Sequence, residues 1–333
     1  MFTSRPVIGL TIGDPAGIGP EVILKSLRDC KLNFDPLLIG HTEIFQLYNG
    51  LCGLDWSFRE VSSISEISAI SNSRTLPVYS LTPKREIKFQ PGKPNTDGAA
   101  LAMEAVATAV SLAKKKEIHA IVTAPIYKKG IQQAGYIFNG HTDYIAHLTG
   151  TDDYAMMLTG EGLSVVLVTI HIPFRQIRDQ LTVESVVRTL RITHNGFRQF
   201  GLSSPRIALC GLNPHAGEEG MLGDEEITIL QPAVAQARAE NINVTGIFPP
   251  DTVFWDTVHG AADVVVALYH DQGLIPLKLL AFDKGVNCTL GLPIVRTSPD
   301  HGTAFGIAGK NQANPASFTE AIKLALKMCG GTP

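Results

Sequence analysis

The chain has 333 residues, 44% hydrophobic and 18% charged, with a formal net charge of −3. That length suits two domains, and the composition provides a large core and excludes a disordered chain. The slightly acidic balance argues against a nucleic-acid partner, which needs a basic face.

Pro6 to Ile12 reads as a short apolar strand, and the N-terminal stretch lacks the basic region and cleavage site of a signal peptide. Pro20 then stands where a helix starts, and Glu21 to Leu27 continues with helical spacing. Pro36 to Gly40 is a second strand and Thr42 to Tyr48 a short helix; residues 52–95 are irregular, with a small strand at Leu76 to Tyr79. Thr96 to Lys116 is the strongest helix, alanine-rich and closed by three lysines that suit its negative end. Ile118 to Thr123 is a strand, and Tyr127 to Ala134 and Thr142 to Leu148 are helices. Tyr154 to Leu158 and Leu163 to His171 form an antiparallel pair around Gly160-Glu161-Gly162. Helices follow at Val183 to Phe200, Asp224 to Glu240, Asp251 to Val258 with Asp251 as cap, and Pro315 to Met328. Strands lie at Arg206 to Cys210, Val244 to Phe248 and Ala262 to Leu268. Strand and helix alternate, which is the pattern of an α/β fold with mostly parallel sheets. No Pro/Ser-rich linker marks a boundary, so the two α/β/α domains are expected to be interwoven.

The five cysteines, Cys30, Cys52, Cys210, Cys288 and Cys329, are scattered, and no C-x-x-C pair exists. An odd, scattered set suits reduced thiols. No run of about 18 uncharged apolar residues occurs, so no membrane span is expected and cytoplasmic residence follows.

Three histidines sit in unusual frames, each after an apolar strand: His171 in Thr169–Pro173, His215 in Asn213–Glu218, and His270 in Tyr269–Gly273. Carboxyl ends of strands are where open α/β sheets bind ligands. Three imidazoles at one sheet edge suit a divalent metal with an open position for substrate; each alone would equally cap a strand or bond backbone. Gly13 to Glu21 (GDPAGIGPE) is a glycine-rich strand-to-helix turn that lets backbone N–H groups approach an anion, though it also reads as a tight connection. Asn139 to Asp143 precedes a helix that His141 or Thr142 could cap, again presenting free N–H groups; Thr123 to Lys128 brings a lysine to the same edge. Asp300 to Lys310 is a long loop of small residues, able to lie against a flat ring.

Taken together, these segments resemble the 4-hydroxythreonine-4-phosphate dehydrogenase family of pyridoxal phosphate biosynthesis. The likeness spans GDPAGIGPE, TAPIYK, GHTD, the histidine of HIP, NPHAGE, YHDQG, Gly285-Val286-Asn287 through Arg296-Thr297-Ser298, and DHGTA. It implies the isocitrate/isopropylmalate dehydrogenase-like fold, whose HGSAPDIAGKGIANP segment HGTAFGIAGKNQANP echoes. The expected domains are 1–125 with 285–333, carrying the cofactor loop, and 126–284, carrying the metal ligands and dimer contacts. The resemblance implies His171, His215 and His270 as ligands of a divalent ion (Zn, Mg or Co). It implies His141, Thr142, Lys278, Asn287 and Arg296 as substrate-binding residues, and His301, Gly302, Thr303, Ala304, Gly306, Ile307 and Gly309 as the NAD or NADP loop. It also implies a homodimer with the active site at the interface. NAD-specific relatives in the wider fold carry an acid where this chain has Gly306, so the preference between NAD and NADP stays open. Lys278 and Asp271 are both candidates for the base.

The implied reaction is oxidation of 4-phosphooxy-L-threonine to a β-keto acid that loses carbon dioxide to give 3-amino-2-oxopropyl phosphate. A paralogue acting on 4-phospho-D-threonate or 4-phospho-D-erythronate would share these residues, and close relatives also oxidise aromatic cis-diols. A metal hydrolase would share the three histidines but not the HGTA loop.

Overall fold

A computed structural model describes residues 5–29, 32–70, 74–81 and 88–330. Cys30 and the residues before Arg5 lie outside them. In chain order the elements are β1 (Val7–Thr11), α1 (Gly19–Asp29), β2 (Asp35–Gly40), α2 (Thr42–Leu51), β3 (Ser57–Val61), β4 (Thr75–Ser80), α3 (Thr96–Lys114), β5 (Ala120–Thr123), α4 (Lys128–Gln133) and α5 (His141–Thr149). Then come β6 (Ala155–Gly160), β7 (Leu163–Leu167), α6 (Ile177–Gln180), α7 (Val183–Gln199), β8 (Ile207–Cys210), α8 (Gln231–Ala239), β9 (Val244–Phe248), α9 (Val253–Val258), β10 (Val264–Ala267), α10 (His270–Ala281), β11 (Val286–Leu290), β12 (Val295–Pro299) and α11 (Ala316–Met328).

The chain divides into two compact units: Met1–Asp152 with Leu292–Pro333, and Asp153–Gly291. The first unit therefore holds α4 and α5, expected in the central domain, because both pack on α3. Residues 285–291 go the other way, since β11 pairs antiparallel with β6.

In the terminal unit the strand order is β3-β4-β2-β1-β5-β12, and every pairing is parallel. Both faces of such a sheet must be covered, which explains strands that are buried on both faces, such as β5, whose four residues are all buried and whose first three are apolar. The long helix α3 lies on β1, β2 and β5, and α11 on β1, β5 and β12. Asn95 caps α3 by accepting the Gly98 N–H at 2.8 Å.

In the central unit the order is β11-β6-β7-β10-β8-β9, antiparallel across β11, β6 and β7 and parallel from β7 to β9. Glu161 and Gly162, both at positive φ (47° and 84°), make the two-residue turn of the β6–β7 hairpin. Its core joins Leu163, Val165 and Leu167 of β7, Val265 and Ala267 of β10, and Leu274 and Leu277 of α10. Thr182 opens α7 with a reciprocal bond to Ser185. The expected helix at 224–240 begins as a π-helical turn over Glu226–Leu230. Pro232 has no N–H to return to the residue four back, and the wider turn accommodates it. Asp251 does not cap α9; Thr252 holds that position, without a side-chain bond to the helix N–H groups.

Candidate active site

The strands β7, β10 and β8 are parallel neighbours, so their carboxyl ends reach one edge. Past the strands the pairing continues: the Val168 N–H bonds Ala267 O at 2.9 Å and the Thr169 N–H bonds Leu268 O at 3.1 Å. The Thr169 hydroxyl also donates to Leu268 O at 2.7 Å. This lock delivers His171 and His270 side by side, with ring centroids 5.5 Å apart. His270 is the first residue of α10, and its Nδ1 lies 2.7 Å from Asp271 Oδ1. A carboxylate on Nδ1 fixes the tautomer and leaves Nε2 as a ligand lone pair.

His215 follows β8 but does not join the pair, and among the described residues no three His, Cys, Asp or Glu side chains gather as a metal cluster. It is exposed and begins a run of left-handed residues, His215 to Glu219, with φ from 42° to 81°. Such geometry costs about 1–2 kcal/mol per non-glycine residue. Buried Glu226 offsets it: its carboxylate accepts the N–H groups of Leu212 (2.7 Å) and Asn213 (2.8 Å) and the Asn213 side-chain amide (2.9 Å). Gln272 braces the same edge, accepting from Leu268 N and donating to Gly211 O. Neither anchor is legible in the sequence: Glu226 sits inside a helical pattern, and nothing local shows which loop it serves.

The terminal unit carries a second cluster, around a cavity of ≈ 150 Å³ lined by Thr123, Lys128, Gly140, His141, Ser298 and His301, among others. Arg296, on β12 and only 3% exposed, is aimed at the end of the neighbouring β5, donating from Nε (3.2 Å) and an Nη (2.9 Å) to the Thr123 hydroxyl. Burial holds the His141 imidazole well below its usual pKa, and the Arg296 and Lys128 charges push the same way. Its buried Nε2 has no hydrogen-bond partner. His141 and Thr142 are the first two helical residues of α5, and Gly140, not either of them, is the cap. Burial likewise lowers the His301 imidazole from its usual pKa, with Nδ1 3.0 Å from Gly302 O and Nε2 buried and unpartnered.

The loop from His301 to Lys310 is pinned at both ends and open between them. Thr303 O accepts the Ile18 N–H of the GDPAGIGPE turn at 2.9 Å. At the far end Glu21 and Lys25, a buried pair 2.7 Å apart, grip the backbone of one residue on both sides: Glu21 accepts the Ala313 N–H (2.8 Å) and Lys25 donates to Ala313 O (3.0 Å). Along the loop Gly302, Ala304 and Gly306 are exposed, Ala304 is left-handed, and Ile307 and Gly309 are partly buried. A side chain at Gly306 would meet open space. The Phe305 ring packs edge-on against Tyr127 at 5.3 Å. Asp14, in the same turn, is fully buried; Oδ1 accepts the Ala16 N–H at 2.9 Å, and burial pushes its carboxyl up to about 6.

Two further expected site residues, Asn287 and Lys278, belong to the central unit. Asn287 is a partly buried residue of β11, opposite Leu158. Lys278 sits on α10 with its ammonium 5.8 Å from the Phe282 ring. Eight residues beyond His270, it is displaced about 12 Å along the helix. One chain therefore does not bring Lys278 to the His270 end of α10.

The family described as pyridoxal phosphate biosynthetic protein PdxA matches residues 33–325. A 4-hydroxythreonine-4-phosphate dehydrogenase of Maricaulis maris is 45% identical over 335 residues, covering 98% of each chain. The crystal structure of a 4-hydroxythreonine-4-phosphate dehydrogenase from Klebsiella pneumoniae superposes with a TM-score of 0.89 at 41% identity, covering 98% of this chain and 100% of that one. An Oceanobacillus iheyensis protein, provisionally named a D-threonate 4-phosphate dehydrogenase, is 38% identical over 98% of this chain and 99% of its own.

Proposed function

The chain belongs to the PdxA family of pyridoxal phosphate biosynthetic proteins, and on that premise we propose that it is a metal-dependent dehydrogenase acting on 4-phosphooxy-L-threonine. The hydroxyl is oxidised to the ketone, and the resulting β-keto acid loses carbon dioxide to give 3-amino-2-oxopropyl phosphate. One observation carries the reading: His141, from the substrate set, and His301 and Gly302, from the cofactor loop, line the same cavity. A hydrolase has no use for that adjacency.

When bound, NAD or NADP supplies the hydride acceptor, and a divalent ion supplies Lewis-acid stabilisation of the reacting oxygen. His171 and His270 fit two corners of a divalent centre, with Asp271 orienting His270. The third expected ligand, His215, is on the next strand's loop. Arg296 offers a fixed guanidinium to a phosphate or carboxylate, and neutral His141 adds a hydrogen bond without adding charge. The His301–Lys310 loop, held at Thr303 and Ala313, presents a backbone surface of small residues to the dinucleotide. Asp271 and Lys278 are the candidate bases.

The protein is proposed to work as a homodimer. Beside His270, α9 and α10 line an apolar cavity of ≈ 630 Å³ that includes Trp255, Tyr269, Ile275 and Leu279, and Leu279 is 86% exposed. An exposed apolar face of that kind marks an association surface. A second copy laid on it would bring its own α10, and hence its Lys278, towards this His270. Among the described residues no helix is long and apolar enough to cross a membrane, and the four described cysteines are free thiols, in keeping with a cytoplasmic enzyme.

Reduction of NAD and NADP with 4-phosphooxy-L-threonine, 4-phospho-D-threonate and 4-phospho-D-erythronate, with added Zn, Mg or Co, tests the reading. Release of carbon dioxide in step with NADH from the first substrate is expected. A preference for the threonate would place the chain beside the Oceanobacillus protein, and no turnover of any of the three would overturn the reading.

A further inference from the structure

Lys128 opens α4, and its side chain runs beside the start of α5: a Cβ built on Gly140 would stand 3.8 Å from Lys128 Cε. It lines the cavity that holds His141, Ser298 and His301, with the buried Arg296 guanidinium bonded to Thr123 at the same place. None of the described lining residues is acidic. At ≈ 150 Å³ the space is well below the roughly 300–1,000 Å³ of pockets that enclose whole ligands, so it receives one group of a larger molecule. With the imidazole of His141 neutral, the positive charge comes from Arg296 and Lys128, beside hydroxyls on Thr123 and Ser298 and an unsatisfied ring nitrogen on His141. Two cations with several neutral hydrogen-bonding groups match a tetrahedral dianion better than a carboxylate, which carries one charge and two oxygens.

We propose that Lys128 is a further binding residue for the substrate's phosphate ester, and that it sets the preference for phosphorylated over unphosphorylated hydroxy acids. This rests on the reading above that the substrate is a phosphorylated hydroxy acid. Lysine suits the position because its ammonium is a compact charge on a long stem, able to meet a phosphate entering from solvent.

The test compares the unaltered enzyme with Lys128→Gln and Lys128→Arg. For each, kcat and KM are measured with 4-phosphooxy-L-threonine and with unphosphorylated 4-hydroxythreonine, together with Ki for inorganic phosphate and Kd for NADH by fluorescence. Lys128→Gln should raise KM for the phosphorylated acid and Ki for phosphate by at least about tenfold, with a much smaller change in kcat. Its effect on the unphosphorylated acid should be at least about fivefold weaker, and Lys128→Arg should recover part of the loss. NADH binding serves as the control for folding. Unchanged KM and Ki in Lys128→Gln, or equal losses with both acids, would overturn the assignment while leaving the dehydrogenase reading standing. An unaltered enzyme that neither turns over the phosphorylated acid nor binds inorganic phosphate would overturn both.

Discussion

His171 and His270 lie with ring centroids 5.5 Å apart, and the second is held from behind by Asp271 at 2.7 Å. The two imidazoles follow adjacent parallel strands of one chain, so a site that uses both as they stand would draw both from the same subunit. His270→Ala should abolish metal binding, measured by elemental analysis after dialysis, with an unchanged circular dichroism spectrum. Asp271→Asn should weaken the metal by about 10–100-fold. If kcat stays low when Asp271→Asn is saturated with metal, Asp271 is also the base; if it recovers, its part is orientation alone.

The separation of Lys278 from His270 along α10 sets up a complementation assay. His171→Ala mixed with His270→Ala should remain inactive, because both losses fall on the same half-site. His270→Ala mixed with Lys278→Ala should regain activity, up to about a quarter of the parent's if subunits exchange freely and each mixed dimer keeps one whole site. Leu279→Asp, on the exposed apolar face, should give monomers by sedimentation and lose activity. An active monomer at high dilution would exclude a shared site.

Gly306→Asp should raise the preference for NAD over NADP by at least tenfold, about 1.4 kcal/mol. An added acid hydrogen-bonds the ribose 2′-hydroxyl and repels a 2′-phosphate. The position is permissive, since a new side chain there meets nothing within 4 Å. The ratio of the two specificity constants is the measurement; an unchanged ratio would mean that Gly306 faces away from the ribose.

Asp14 should leave a mark on the pH dependence of stability. Its carboxyl is raised from 3.8 to about 6, chiefly by burial, against a smaller opposing effect of the Ala16 N–H. The folded state therefore binds the proton more tightly than the unfolded state between about pH 4 and 6, and stability falls as pH rises through that window. The loss is about 2–3 kcal/mol. Asp14→Asn does not titrate, so urea unfolding from pH 4 to 7 should show a shallower decline by about that amount. Parallel profiles would mean that Asp14 ionises at its ordinary value.

The repeating strands and long helices were readable because their apolar runs have one period each, as in α3, α7 and α11. The positions of His171, His215 and His270 after strands were equally plain, since turn residues follow each apolar run. The helix α10 was not expected, because Gly273 and Pro276 both disfavour helix locally. Its tertiary setting decides otherwise. Leu274, Leu277 and Ala281 are buried, and a Cβ at Gly273 would come within 2.5 Å of Val165, so glycine is what lets α10 approach β7. The Glu21–Lys25 pair was likewise hidden: an i, i+4 charge pair normally marks a solvated helix face, whereas this one is buried on a backbone segment 288 residues away.

The insertion of one unit into the other has a consequence for synthesis on the ribosome. Residues 1–152 emerge first, but the strand that completes their sheet beside β5 is β12, which follows the whole of the second unit. Until then β5 has an uncovered edge, a state prone to wrong pairing. Arg296 and His301 arrive on the same late segment, so the nascent chain holds Lys128 and His141 in an unfinished cavity. The order of translation thus keeps the cavity around His141 and the His301–Lys310 loop from being completed before the histidine-bearing unit has been made.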